Sequence, residues 1–305
     1  MQSFDNTLII ITGPTGSGKT ELSIKLAKTI GCDIISADSR QLFRDIPIGT
    51  AAPTIQEQAE AKHHFIGTLG LEEYYSAARY EEDVLKLLPS LWNNNHIAIM
   101  CGGSMMYIDA VTHGVDELPT ISEEVRSEVK KLYEKEGLDG IRAVLRNLDP
   151  EYIRKVDLSN PRRIIHAIEI SLEAGVPYSS LLTGKKTKRP FNIIKMMIDF
   201  SREELFDRIN RRVDKMIEEG MIEEARKVYP LRHLNSLNTV GYKELFAYFD
   251  GTMDKDTAIA RIKKNTRVYA KKQLTWLNKD SSVLRLNPTT SYEEAMHAIA
   301  HFIRQ

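Results

Sequence analysis

The residues with the clearest chemistry are Gly13-Pro14-Thr15-Gly16-Ser17-Gly18-Lys19-Thr20, which match G-x-x-x-x-G-K-[ST] at each fixed position. Glycines let the backbone curl until several N–H groups surround phosphate oxygens. Lys19 adds a positive charge, a following helix adds the positive end of its dipole, and Thr20 can hold Mg²⁺. The whole run from Gly13 to Thr20 is therefore a candidate diphosphate or triphosphate site, with Thr20 the candidate metal ligand. The motif names a ligand class and leaves the reaction open. A second polar cluster, Asp38-Ser39-Arg40-Gln41, offers a carboxylate. Asp38 can either accept a proton from an incoming nucleophile or cap the next turn. No strand ends in an Asp-Glu pair suited to a hydrolysing motor, which favours a transferase or a kinase. Adjacent His63 and His64 cannot easily share one helix face, so hydrogen-bonding roles are expected of them rather than metal binding.

Positioning these groups requires strands that end at one edge. Leu8-Ile9-Ile10-Ile11 reads as a buried strand running into Gly13, followed by a helix from Lys19 to about Ile30. Three further strands are expected: Asp33 to Ala37 before the Asp38 cluster, Ile97 to Cys101 before Gly102-Gly103-Ser104, and Ile193 to Ile198 before Asp199. Strands alternating with helices predict an α/β fold, a P-loop NTPase-like parallel sheet flanked by helices. Between 115 and 190 the strand signals vanish. Ser122 to Glu136 is charged and helical, and Asn160-Pro161 opens a helix that Gly175-Val176-Pro177 ends. The expected organisation is a core of residues 1–114 and 191–305 interrupted by a mainly helical insertion at 115–190. From Ser201 onward the chain reads as helices at Glu203–Glu219, Met221–Tyr229, Tyr242–Phe249 and Thr257–Leu277.

Lys plus Arg and Asp plus Glu each total 42, so any basic surface must come from uneven distribution. Residues 255–279 show such unevenness, with eight basic residues against the single acid Asp256. Arg261, Lys264, Arg267 and Lys271 share a helix face suited to an RNA backbone, while Ile259, Ile262, Tyr269 and Trp276 can form the core side. Arg162-Arg163 and Lys185-Lys186-Thr187-Lys188-Arg189 add two more basic groups. Cys32 and Cys101 lie in or beside apolar stretches, outside any metal spacing, and are expected to be buried thiols. No apolar run reaches about 18 residues, and the first six residues lack a basic region of the secretory type. A cytoplasmic location is expected.

Taken in order, these motifs resemble the tRNA dimethylallyltransferases. The P-loop is followed by Ile35-Ser36-Ala37-Asp38-Ser39-Arg40-Gln41, Ile48-Gly49-Thr50-Ala51, His63-His64 and Tyr75-Ser76-Ala77-Ala78. Gly102-Gly103-Ser104-Met105-Met106-Tyr107, Asn160-Pro161-Arg162-Arg163 and Arg208-Ile209-Asn210-Arg211-Arg212-Val213 come next. Val240-Gly241-Tyr242-Lys243-Glu244-Leu245 and Tyr269-Ala270-Lys271-Lys272-Gln273-Leu274-Thr275-Trp276 close the series.

The resemblance implies transfer of a dimethylallyl group from dimethylallyl diphosphate to N6 of the adenosine at tRNA position 37, with Mg²⁺ as cofactor. It implies that Asp38 is the general base, that Thr20 and Lys19 hold metal and diphosphate, and that Arg212 neutralises the leaving group. It assigns the anticodon stem-loop to Asp38, Ser39, Arg40, Gln41, Ser104, Arg126, Arg162, Arg163, Ile164, Ile165 and His166, and to Asn238, Thr239, Val240, Gly241, Tyr242 and Lys243. A monomer is expected. Ala52, Lys62, His166 and Asn238 depart from the family pattern, each at a possible anion contact. The rivals are an adenylate prenyltransferase and a P-loop small-molecule kinase acting with ATP.

Overall fold

A computed structural model describes residues 6–93 and 95–303. Among these, six strands form one sheet: β1 (Thr7–Thr12), β2 (Ile34–Ser36), β3 (His63–His64), β4 (Ile97–Gly102), β5 (Asn192–Ile198) and β6 (Val283–Leu286). Their order is β3-β2-β4-β1-β5-β6, and each neighbouring pair is parallel. Thr12 pairs with Gly102 on one side and Met197 on the other, while Ser36 pairs with Cys101. The chain therefore leaves β1, β2, β4 and β5 at one edge, where open parallel sheets place their ligands.

β1 is apolar without alternation because both faces of the sheet are covered. Leu8 and Ile10 join Ile35, Ala98 and Met100 in one core, with Tyr80, Ile108, Leu245 and Ile262 packed from helices. Ile9 and Ile11 point the opposite way, as strand geometry requires, and meet Leu22, Leu26, Ala295 and Ile299. The edge strands β3 and β6 and the helix Ala77–Trp92 had no clear sequence signal. β6 is mostly exposed and carries Arg285, whose guanidinium reaches Asp199 at 3.1 Å.

The chain divides into two compact units, one of residues 1–113 with 188–305 and the other Gly114–Thr187. In the second unit the charged helix runs well past Glu136, as Glu123–Leu148, with one non-helical residue at Gly137 (φ 64°). Pro161–Ala174 follows, capped by the Asn160 side chain and ended by Gly175 in the left-handed region. Val129, Ile141, Leu145, Ile164, Ala167 and Ile168 form this unit's own core. No helix among the described residues is long and apolar enough to cross a membrane.

Candidate active site

The loop after β1 takes its shape from its glycines. Gly16 and Gly18 sit at φ 83° and 81°, a region that side-chain-bearing residues rarely enter, and the helix Lys19–Ile30 begins immediately after. Lys19 folds back so that its ammonium donates to the Pro14 carbonyl at 2.8 Å. Burial pushes this ammonium down to about 8, with Arg212 acting in the same direction and Cys101 and Asp38 opposing. Ser17 Oγ is buried and, among the described residues, has no hydrogen-bond partner. A polar atom withheld from water in this way suits a polar ligand.

Two distant helices brace the loop. Gln273, buried on the helix Lys255–Leu277, accepts from the Thr15 N–H at 3.0 Å and donates to the Gly103 carbonyl at 2.8 Å. The Thr15 amide is thus occupied within the protein. Arg208, on the helix Arg202–Glu218, donates to the Gly16 carbonyl at 2.8 Å and lies over the Phe200 ring. The sequence offered no cue to either brace, because both join residues nearly two hundred or more positions apart.

Asp38 follows β2 in a tight polar turn. Its carboxylate accepts from the Arg40 N–H at 2.9 Å, and the Ser39 N–H donates to Ser104 Oγ at 2.9 Å. Ser104 in turn donates its N–H to the Ala37 carbonyl at 3.0 Å. Gly102 is required here by contact, since a Cβ at that position would lie 2.2 Å from the Ala37 oxygen. Arg40 donates to the carbonyls of Asn235 and Ser236, and Gln41 to that of Ala51. The turn is therefore fixed from several sides while Asp38 itself stays half-buried.

Arg212 shares its helix with Leu205, Ile209, Val213 and Met216, whose buried face orients it. It lines, with Thr20, Gln41, Ile48, Ala51 and Met216, a cleft of about 850 Å³. Burial pulls its guanidinium down, and the Asp38 carboxylate acts against that pull. Lys19, Arg212 and Asp38 thus lie within mutual electrostatic reach at the sheet edge. The Ile48–Ala51 wall is anchored by a residue not singled out from sequence. Glu224 is buried and accepts from the Ile48 and Gly49 N–H groups at 2.8 Å each, and from the Tyr242 hydroxyl.

The remaining expected contacts divide by exposure. In the second unit Arg162, Arg163 and His166 are exposed, Arg126 and Ile165 are half-buried, and Ile164 is fully buried. Asn238, Thr239 and Val240 are half-buried and Lys243 is exposed, but Gly241 and Tyr242 are buried. Ile164 and Tyr242 thus support neighbouring residues from within their cores. Arg189 leaves the basic group at 185–189, because its side chain pairs with Glu81 and donates to the Ala110 and Val111 carbonyls.

On the helix Lys255–Leu277, Arg261, Lys264, Lys271 and Lys272 are exposed, while Arg267 is half-buried against Asn210 and Phe206. Tyr269 and Trp276 do not join the core; they stand 45% and 47% exposed. The core side is made by Ala258, Ile262, Ala270, Gln273 and Leu277, because the turn that buries Gln273 faces the P-loop. His63 and His64 hydrogen-bond to the Ala61 carbonyl and to Asp33. Cys32 and Cys101 are free and half-buried, and burial pushes both thiols up, Cys32 to about 12.

The profile of the IPP transferase family matches residues 41–280. The chain belongs to that family. This IPP transferase is 52% identical over 298 residues to tRNA dimethylallyltransferase 1 of Phocaeicola vulgatus, covering 97% of this chain and 99% of the relative. Its fold is similar to that of the full-length tRNA isopentenylpyrophosphate transferase of Bacillus halodurans, with 32% identity, a TM-score of 0.73, and 98% and 97% of the two chains covered. It is also similar to a eukaryotic dimethylallyltransferase acting on tRNA, with 25% identity, a TM-score of 0.81, and 97% and 79% covered.

Proposed function

We propose that this chain transfers a dimethylallyl group from dimethylallyl diphosphate to N6 of the adenosine 3′ of the tRNA anticodon. One observation carries the reading: two cations, Lys19 and Arg212, and one carboxylate, Asp38, lie within electrostatic reach of one another beside a half-open cleft that Thr20 and Arg212 line. A diphosphate leaving group needs cations, and an aromatic amine acting as nucleophile needs a base. The names of the family and its relatives point to the same reaction.

The step balances as a substitution. The bond from N6 to the allylic C1 forms, the bond from C1 to the diphosphate oxygen breaks, and the N6 proton passes to Asp38. An allylic C–O bond breaks with carbocation character, so charge gathers on the departing diphosphate. Lys19 and Arg212 offset that charge within a partly dehydrated site, where they act more strongly than in water. Asp38 keeps positive charge from building on N6. Ile48, Ala51 and Met216 line the same cleft and suit a five-carbon chain.

The residues present also fit Mg²⁺. Thr20 offers a hydroxyl at the cleft, and Mg²⁺ at such sites is held largely by phosphate oxygens and water with few protein ligands. Bound there, it would neutralise charge on the diphosphate. The reading further assigns the protein to the cytoplasm, acting as a monomer on the anticodon stem-loop.

The test offers labelled dimethylallyl diphosphate and Mg²⁺ to the protein with unmodified tRNA, adenylate or a buffer blank. Label on tRNA alone is expected. Label on adenylate alone would replace the reading with cytokinin-type prenyl transfer. ATP consumption with a phosphorylated small molecule, and no prenyl transfer, would replace it with a kinase.

A further inference from the structure

The exposure of Tyr269 contradicts its apolar place in the helix pattern. It stands 45% exposed and, among the described residues, makes no hydrogen bond or ring contact. Tyr75, Tyr80 and Tyr107 by contrast pack on one another. Gln273 lies one turn after Tyr269 on the same side of the helix. Gln273 is bonded to Gly103, and the next residue, Ser104, is bonded to Ser39 beside the Asp38 carboxylate. By its helical spacing Tyr269 shares with Gln273 the side of the helix that faces this turn. The charges felt by its phenol agree, since after burial Asp38 and Arg40 are the groups that act on it, in opposite directions.

We propose that Tyr269 is the surface on which the extruded adenine stacks while Asp38 takes the N6 proton. The proposal rests on the tRNA prenyl-transfer reading and adds a residue to it. A base drawn out of an anticodon loop loses its neighbours, and an aromatic face replaces the lost stacking. The ring also limits rotation of the adenine, so that its N6 edge is presented to Asp38 in a defined plane. Stacking needs the ring and not the hydroxyl, so Phe is an adequate substitute and Ala is not.

The experiment uses the full chain and an anticodon stem-loop carrying 2-aminopurine at the target position. This base has no 6-amino group and cannot be prenylated, and its fluorescence is quenched by stacking. Saturated wild-type protein is expected to hold the probe quenched. Tyr269→Phe should match it, and Tyr269→Ala should leave the probe clearly brighter. On unmodified tRNA, Tyr269→Ala should lower kcat/KM roughly tenfold or more, with KM for dimethylallyl diphosphate unchanged and Tyr269→Phe within about twofold of wild type. Equal fluorescence and equal kcat/KM in Tyr269→Ala would overturn the assignment. So would a matching rise in KM for dimethylallyl diphosphate, because Tyr269 would then act through Gln273 and the P-loop. A wild-type protein that transfers no label to tRNA would defeat the functional reading instead.

Discussion

At the residue scale, the proposed prenyl transfer turns on Asp38 and Lys19. Asp38 has one oxygen engaged by the Arg40 N–H and sits in a turn braced by Ser104. Asp38→Ala should therefore remove the proton acceptor without collapsing the turn. Prenyl transfer is expected to fall by roughly 10²–10⁴-fold, while tRNA binding in a filter assay stays close to wild type. Unchanged turnover would dismiss Asp38 as the base. Lys19 makes a pH prediction. Its ammonium is brought down to about 8 by burial, and it holds a diphosphate only while protonated. A bound diphosphate stabilises the protonated form, so affinity is full below about 8 and declines as pH rises through about 8. The dissociation constant for dimethylallyl diphosphate, measured from pH 6.5 to pH 9.5, checks this, and a flat profile would contradict it.

At the scale of elements, the site depends on helices that arrive late in the chain. Gln273 bridges the P-loop and the Gly103 turn with its two amide atoms, and both partner groups are backbone. Gln273→Ala leaves a Thr15 N–H and a Gly103 C=O unpaired in a largely buried place. Each such group costs about 1–3 kcal/mol. A lower urea midpoint is expected, together with a raised KM for dimethylallyl diphosphate. A variant with lower stability but unaltered KM would show that the bridge serves folding alone.

At the scale of the whole molecule, a net charge of zero conceals an uneven surface. The helix Lys255–Leu277 presents Arg261, Lys264 and Lys272 to solvent. Lys263, on the same helix, is instead paired with Asp214 at 2.6 Å. Contacts with phosphates release counterions, so each adds to the salt dependence of binding. Replacing Arg261, Lys264 and Lys272 by Ala should weaken tRNA binding. It should also reduce the slope of log affinity against log salt by about 2 to 3. Dimethylallyl diphosphate binding should not change. An unaltered slope would make the stripe an ordinary solvated face.

Much of this protein was legible in its sequence, for local reasons. The P-loop is a continuous motif whose shape comes from its own glycines, and β1, β2, β4 and β5 announce themselves as short apolar runs. Pro161 and Asn160 mark a helix start because capping involves only neighbouring residues. Lys19 and Asp38 were candidates by residue type and position, whereas Arg212 came only from the resemblance to the tRNA dimethylallyltransferases. What the sequence could not decide was which atoms meet across long separations. β3 and β6 are too short or too exposed to leave an apolar pattern, and exist through pairing with β2 and β5. The Gln273 and Glu224 braces, the inward turn of Arg189 and the outward stand of Tyr269 depend on how whole helices dock. A helical period divides a helix into faces, but only the packed partner decides which face is covered, and that partner is chosen by tertiary structure.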